Sequence, residues 1–238
     1  MPDSAVSRAS APSAESNAPR HTLTVRVTHW ITVLSFLALL VTGCGILISH
    51  PRFYWGETGN SGTTPLFSFH IPASRATVPT GYKYVLPDQN GWGRYLHFQS
   101  AWVAVLTGLV YAAFSFFSGH LRRNLVPERG SLGSLRPDPA RPDSYNPLQR
   151  LTYLLVIFGL FPFVVWTGLA MSPAFVSAVP AAVTVLGGTQ SARTLHFFVS
   201  VALVLFLLVH LVMVWRAGFV RRVGAMITGR AFASREER

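Results

Sequence analysis

The stretch RTLHFFVSVALVLFLLVH, residues 193–210, is an apolar run with a histidine near its start, His196, and another at its end, His210. Fourteen residues of α-helix separate the two side chains by about 21 Å along the axis, and fourteen steps of roughly 100° leave them within about 40° in azimuth. Both imidazoles therefore face the same interior at two different depths. Polar rings are costly in a hydrocarbon environment and mark a function there.

The rest of the chain supplies that environment. Of 238 residues, 50% are hydrophobic and 12% charged, and the mean hydropathy is +0.37, the profile of a membrane protein. Four apolar stretches, about 29–49, 97–118, 151–171 and 195–215, reach the roughly 20 helical residues needed to cross a bilayer. The reading is an all-α membrane protein, a four-transmembrane-helix bundle in a single domain over 21–228. A disordered tail, 1–20, precedes it and a tail, 229–238, follows it. The Ala-, Ser- and Pro-rich residues 1–27 have no signal-peptide core, so the first apolar segment is expected to stay as a helix. The stretch 173–188 is too short and Pro-interrupted to span, and is expected at the interface or packed on the neighbouring loop.

Lys and Arg set the orientation. Three lie in the N-terminal tail, six in 119–150 and six after the last span, against five in the two opposite loops. Both termini are therefore expected to be cytoplasmic. The net charge of +11 needs no nucleic acid, because arginines flanking helices face anionic membrane lipid and no nucleic-acid motif accompanies them.

With depth assigned, the histidines form two layers. His29 opens the first helix on the cytoplasmic side and pairs with His210; His97 opens the second on the outer side and pairs with His196. A zinc ion normally takes three or four protein ligands, whereas a haem iron already has four pyrrole nitrogens and needs two axial ones. Two rings per layer match two bis-histidine haems, suited to electron transfer. The single cysteine, Cys44, excludes the C-x-x-C-H attachment of c-type haem, so the haems are expected to be b-type. Interhelical hydrogen bonding is the ordinary role of one isolated intramembrane histidine; four in two matched layers point to cofactor binding.

Three of the four histidines follow an arginine at the same spacing: Arg26 in RVTH, Arg94 in RYLH and Arg193 in RTLH. A residue three positions earlier shares the helical face one turn nearer water, where haem propionates would emerge; alternatively the arginines only mark helix ends. Gly43, Gly45 and Gly108 suit either a porphyrin face or ordinary membrane-helix packing, and packing is expected. Cys44 is expected to be buried, and Pro162 to kink the third helix.

The motifs RVTHW, GWGRYLHF, YNPLQRLTYL and the fourteen-residue histidine pair resemble the di-haem cytochrome b subunits of bacterial respiratory complexes, grouped as the bacterial cytochrome b561 and nickel-iron hydrogenase type. The resemblance covers about 20–228. It implies a multi-pass protein of the bacterial inner membrane that carries electrons between a periplasmic redox partner and quinone. Related subunits bind quinone near the start of the third helix, which would bring in Asn146 and Gln149, beside Tyr145 and Arg150; Asn146 before Pro147 is equally a helix cap. The outer-loop sequence HPRFYWGETGN resembles a subgroup served by a molybdopterin enzyme of the sulfite-oxidase type, and the wider family includes hydrogenase-like partners. Its Phe53, Tyr54 and Trp55 are expected in the interfacial aromatic belt or at a partner contact. Two other readings stay open: a stand-alone superoxide:quinone oxidoreductase of the same fold, and a haem-free transporter or assembly factor.

Overall fold

The computed structural model describes residues 22–60, 62–71, 89–119 and 147–229. In chain order these form α1 (Leu23–Ser49), β1 (Arg52–Phe53), β2 (Phe67–Ser68), α2 (Gln89–Phe117), α3 (Pro147–Leu155), a π-helical turn (Val156–Leu160), α4 (Phe161–Leu169), α5 (Pro173–Ala178), α6 (Ala181–Thr184), α7 (Thr189–Arg216) and α8 (Phe219–Thr228). Four helical runs among the described residues are long and apolar enough to cross a membrane: Leu23–Ser49, Gly91–Phe117, Leu151–Leu169 and Thr189–Arg216. Large apolar side chains point outward from them, with Val41 72%, Phe117 85% and Trp215 78% exposed. Surface of that kind is stable only against lipid.

Helices α1, α2 and α7 begin earlier than hydropathy alone indicates, at Leu23, Gln89 and Thr189. The added turns, LTVRVT, QNGWGRYL and TQSART, are too polar for hydrocarbon but can lie at the interface, where a continued helix keeps its backbone bonded. His29 and His97 consequently sit inside their helices, past the opening turns.

α1 and α2 pack along most of their length. The buried residues of α1 are Thr28, Ser35, Thr42 and Ser49, a strict spacing of seven, and Ser100, Ala104, Thr107 and Ser115 of α2 are buried too. Small side chains let two backbones approach where no hydrophobic effect drives helices together. Three of the α1 hydroxyls bond within the helix: Thr28 Oγ1 donates to Thr24 O at 2.8 Å, Thr42 Oγ1 to Ala38 O at 2.7 Å and Ser49 Oγ to Gly45 O at 3.2 Å.

α7 packs on α4 and on the π-helical turn. Val156, Val199 and Leu203 form the buried centre of this second unit, and Phe36 of α1 packs against it together with Leu160, Phe161 and Phe206. The expected disturbance at Pro162 takes the form of the π-helical turn just before it, where the Phe161 N–H donates to Val156 O. The widened turn accommodates a residue that has no N–H to give.

At the end of the bundle away from the termini, the segment 173–188 packs on the first loop. The N–H groups of Gln190 and Ser191 donate to Gly56 O at 3.0 and 3.3 Å, and the Gly56 N–H donates to Ser191 Oγ at 2.7 Å. Phe53 stacks on Phe67 with ring centroids 4.7 Å apart and also meets Phe197 of α7. Phe53 and Tyr54 are buried, so they are core residues of this loop and not part of an aromatic belt; Trp55 is exposed. At the opposite end, α8 follows α7 after the positive-φ Gly218 and stops at Gly229, φ 81°. The expected tails lie outside the described residues, save Gly229.

Candidate functional site

Between the two helical units, α1 with α2 and α7 with α4, histidine side chains face one another in two places. His29 of α1 faces His210 of α7 with ring centroids 6.4 Å apart. His97 of α2 faces His196 of α7 at 6.3 Å. The structure thus brings together both pairs that the sequence indicates. Between the layers lies the apolar centre already described, with Leu203 seven residues from each histidine of α7.

These separations can be tested against ligand chemistry. An imidazole–metal bond of about 2.0–2.1 Å, with ~1.1 Å more from nitrogen to ring centre, puts two rings on one metal about 6.3 Å apart. Both pairs meet that requirement. Among the described residues no group of three or more His, Cys, Asp or Glu side chains gathers at one point, which suits an ion that brings its own in-plane ligands. Two glycines stand close to these rings. A Cβ on Gly43 would lie 3.7 Å from His97 Cε1, and one on Gly168 3.4 Å from His196 Cε1. A Cβ on Gly45 or on Gly108 would meet nothing within 4 Å. These two glycines are therefore not packing positions against other helices, contrary to expectation. Gly108 is eleven residues from His97 and within about 20° of it in azimuth, on the face turned towards the histidines.

The His97–His196 layer has a defined hydrogen-bond support. Thr42 Oγ1 lies 2.9 Å from His97 Nδ1 and spends its own proton on the Ala38 or Leu39 carbonyl, so its oxygen accepts from Nδ1–H. Thr167 Oγ1 lies 3.0 Å from His196 Nδ1 and donates to Phe163 O or Val164 O. His196 Nδ1 is also 3.1 Å from Val164 O, and a carbonyl only accepts. Both rings are therefore held with the proton on Nδ1 and a bare lone pair on Nε2, the form that binds a metal. Each threonine comes from the helix packed beside its histidine, Thr42 on α1 for α2 and Thr167 on α4 for α7. Sequence reasoning missed them, although the seven-residue spacing of Thr28, Ser35, Thr42 and Ser49 was there to find.

In the other layer Phe206, one turn before His210, stacks on its ring at 6.0 Å. His29 meets the edge of Trp30 at 5.5 Å, and Trp30 Nε1 donates to Met226 O of α8 at 3.3 Å.

The arginines are placed as follows. Arg193 donates to His50 O at the end of α1 and lies over the Phe53 ring at 5.1 Å. Arg94 is exposed. Arg26 donates through Nε to Met226 O at 3.3 Å and through Nη2 to Ile227 O, binding the carbonyl end of α8. Asn146 and Tyr145, and the side chains of Gln149 and Arg150, lie outside the described residues; α3 does start at Pro147, as the capping motif indicates. Cys44 is exposed, not buried. A thiol behaves as a small apolar group, and this one sits on an apolar outer surface.

Comparison with known proteins agrees with this architecture. The family model described as prokaryotic cytochrome b561 matches residues 20–229. The putative protein-methionine-sulfoxide reductase subunit YedZ1 of Azospira oryzae is 30% identical over 213 residues, 86% of this chain and 93% of that protein. No solved structure matches. With two opposed histidine pairs inside a bundle of four spanning helices, and a match over all of its described residues, the chain belongs to the prokaryotic cytochrome b561 family of membrane haem proteins.

Proposed function

We propose that this protein is a di-haem electron carrier that links a periplasmic oxidoreductase to the quinone pool across the bacterial inner membrane, with both termini cytoplasmic. One observation carries the reading: two pairs of rings, His97 with His196 and His29 with His210, stand 6.3 and 6.4 Å apart on one face of α7. Each pair would hold one b-type haem, which when bound supplies reversible one-electron chemistry at iron. The rest of the chain positions and insulates. Thr42 and Thr167 fix the outer rings in the ligating tautomer. Phe36, Val199 and Leu203 keep the space between the layers apolar and dry. Arg193 and Arg94 place two cations one turn before the outer-layer histidines of their helices, where haem propionates would find them. Arg26, with Nη1 outside its bonds to α8, serves the inner haem in the same way. Asn146 and Gln149, at the entrance to α3, contact quinone.

The relative named as a methionine-sulfoxide reductase subunit supports the choice of partner. A reductase consumes electrons, so flow runs from quinol through the inner and then the outer layer to a partner enzyme, here of the molybdopterin sulfite-oxidase type. The test is haem reduction by a quinol analogue in nanodiscs. Fast reduction, slowed by Asn146→Ala with Gln149→Ala and abolished for both haems by His29→Ala, is the expected result. Reduction that survives His29→Ala would contradict entry through the inner layer.

A further inference from the structure

Helix α8, which closes the end of the bundle next to the His29–His210 layer, carries a cation. Arg222 lies on α8, and its Nε is buried with no hydrogen-bond partner. On a helix of 3.6 residues per turn, positions 222, 225, 226 and 229 share one face. This is the inward face: Ala225 and Gly229 are buried, whereas Val220 and Ile227 on the other side are 82% and 56% exposed.

Three contacts fix where that face rests. Trp30 Nε1 and Arg26 Nε both donate to Met226 O, and a Cβ on Gly229 would fall 2.6 Å from Arg26 Nη1. The C-terminal half of α8 therefore sits on the first turns of α1, around Arg26 and Trp30. Its N-terminal half continues from α7, two residues after that helix ends. Arg222 is one turn before Met226 and so lies between the end of α7 and the start of α1. Those two helix ends carry His210 and His29, and Trp30 is in edge contact with the His29 ring.

A buried N–H donor left without an acceptor is destabilising, and the Nε of Arg222, on a half-buried side chain, is such a donor. No Asp or Glu among the described residues forms a salt bridge with it. We infer that Arg222 is the residue that receives a carboxylate of the inner haem, with α8 serving as the strap that carries it beneath the His29–His210 pair. The inference rests on the proposal that this pair holds a haem, and it adds a ligand-contacting residue from a helix that no histidine occupies. The role of Arg26 is then shared: two of its donors hold the strap in place. Arg221, the neighbouring cation, is exposed on the other face and is the natural control.

The inference is tested by optical redox titration of the purified full-length protein, with haem per chain counted in parallel. Oxidised haem carries one positive charge more than reduced haem, so a nearby cation favours reduction. Arg222→Met keeps the apolar stem and removes the charge, and should lower the inner haem's reduction constant about tenfold, 59 mV for a one-electron couple. The outer haem should stay unchanged, and Arg222→Lys should restore most of the loss. Arg221→Met should have little effect on either haem. An inner potential that Arg222→Met leaves in place, or an equal shift with Arg221→Met, overturns the inference. If Arg222→Met fails to accumulate, resonance Raman of Arg222→Lys decides: replacing a planar fork by a point charge should move the propionate bands of one haem, and unmoved bands refute the contact. Failure of the underlying reading looks different, because wild-type protein would then hold no haem that His29→Ala removes.

Discussion

Gly188 joins the segment 173–188 to the helix that carries His196, and replacing it with alanine should loosen one haem layer and spare the other. Its backbone is at φ 112°, ψ 170°, a region open essentially to glycine alone, and a side chain there costs about 1–3 kcal/mol. The new Cβ would also stand 2.5 Å from the carbonyl carbon and oxygen of Gly56 and 2.7 Å from Glu57 N. These are backbone atoms and cannot swing aside. Relief requires separating the seam in which Gln190, Ser191 and Gly56 exchange hydrogen bonds, each worth about 0.5–1.5 kcal/mol. Strain plus one or two lost bonds comes to about 3 kcal/mol, which raises the open fraction of the seam by more than about a hundredfold. Hydrogen–deuterium exchange should show this at residues 56–57 and 188–192, and the haem assigned to His97 and His196 should dissociate faster than in wild type. Gly45→Ala, where a Cβ meets nothing, should leave exchange in the seam unaltered. Unchanged exchange in Gly188→Ala, or equal loss of both haems, would refute the reasoning.

Three further outcomes follow from the site. Thr42→Val removes the hydroxyl that accepts from His97 Nδ1–H, which lowers the basicity of the ligand and should raise the outer haem's potential while weakening retention by about 10–100-fold, whereas Thr167→Val should have a smaller effect because Val164 O still accepts from His196 Nδ1–H; titration and haem counts check this, and Thr42→Ser should behave as wild type. Gly108→Phe fills open space on the histidine-facing side of α2 and should cost one haem per chain by pyridine haemochrome without loss of folded protein, whereas two haems in Gly108→Phe would show that the space belongs to lipid. Trp30→Phe removes the indole donor to Met226 O and should raise amide exchange across α8, with the outer layer unaffected.

The spans and the pairing of the rings were legible because each rests on one strong regularity. Hydropathy marks a membrane helix, and fourteen residues of helix bring His196 and His210 to one face. What the sequence hid was set by weaker or three-dimensional terms. Helix ends ran past the hydropathy limits because polar turns such as QNGWGRYL can stay helical at the interface. Thr42 looks like any threonine bonded to its own helix, and its second role appears only when α2 lies beside α1. The strap α8 is too polar and short for a hydropathy window; its cue was the pair Gly218 and Gly229 bracketing FVRRVGAMIT. Phe53 and Tyr54 read as belt aromatics but are buried: β1 and β2 fold Phe53 against Phe67 and Phe197, and Tyr54 packs on Gly59 with its hydroxyl donating to Asn60 O. Gly45 and Gly108 read as packing residues because sequence cannot show that the opposing space is empty.

The central claim is that each ring pair holds one haem, and a reduced-minus-oxidised spectrum with a haem count on the purified chain tests it most directly. Two b-type haems per chain in the wild type, one in His97→Ala, a different one in His29→Ala, and none in the double variant are the predicted results. A well-folded wild-type protein without haem, or single variants that lose the same haem, would contradict the account.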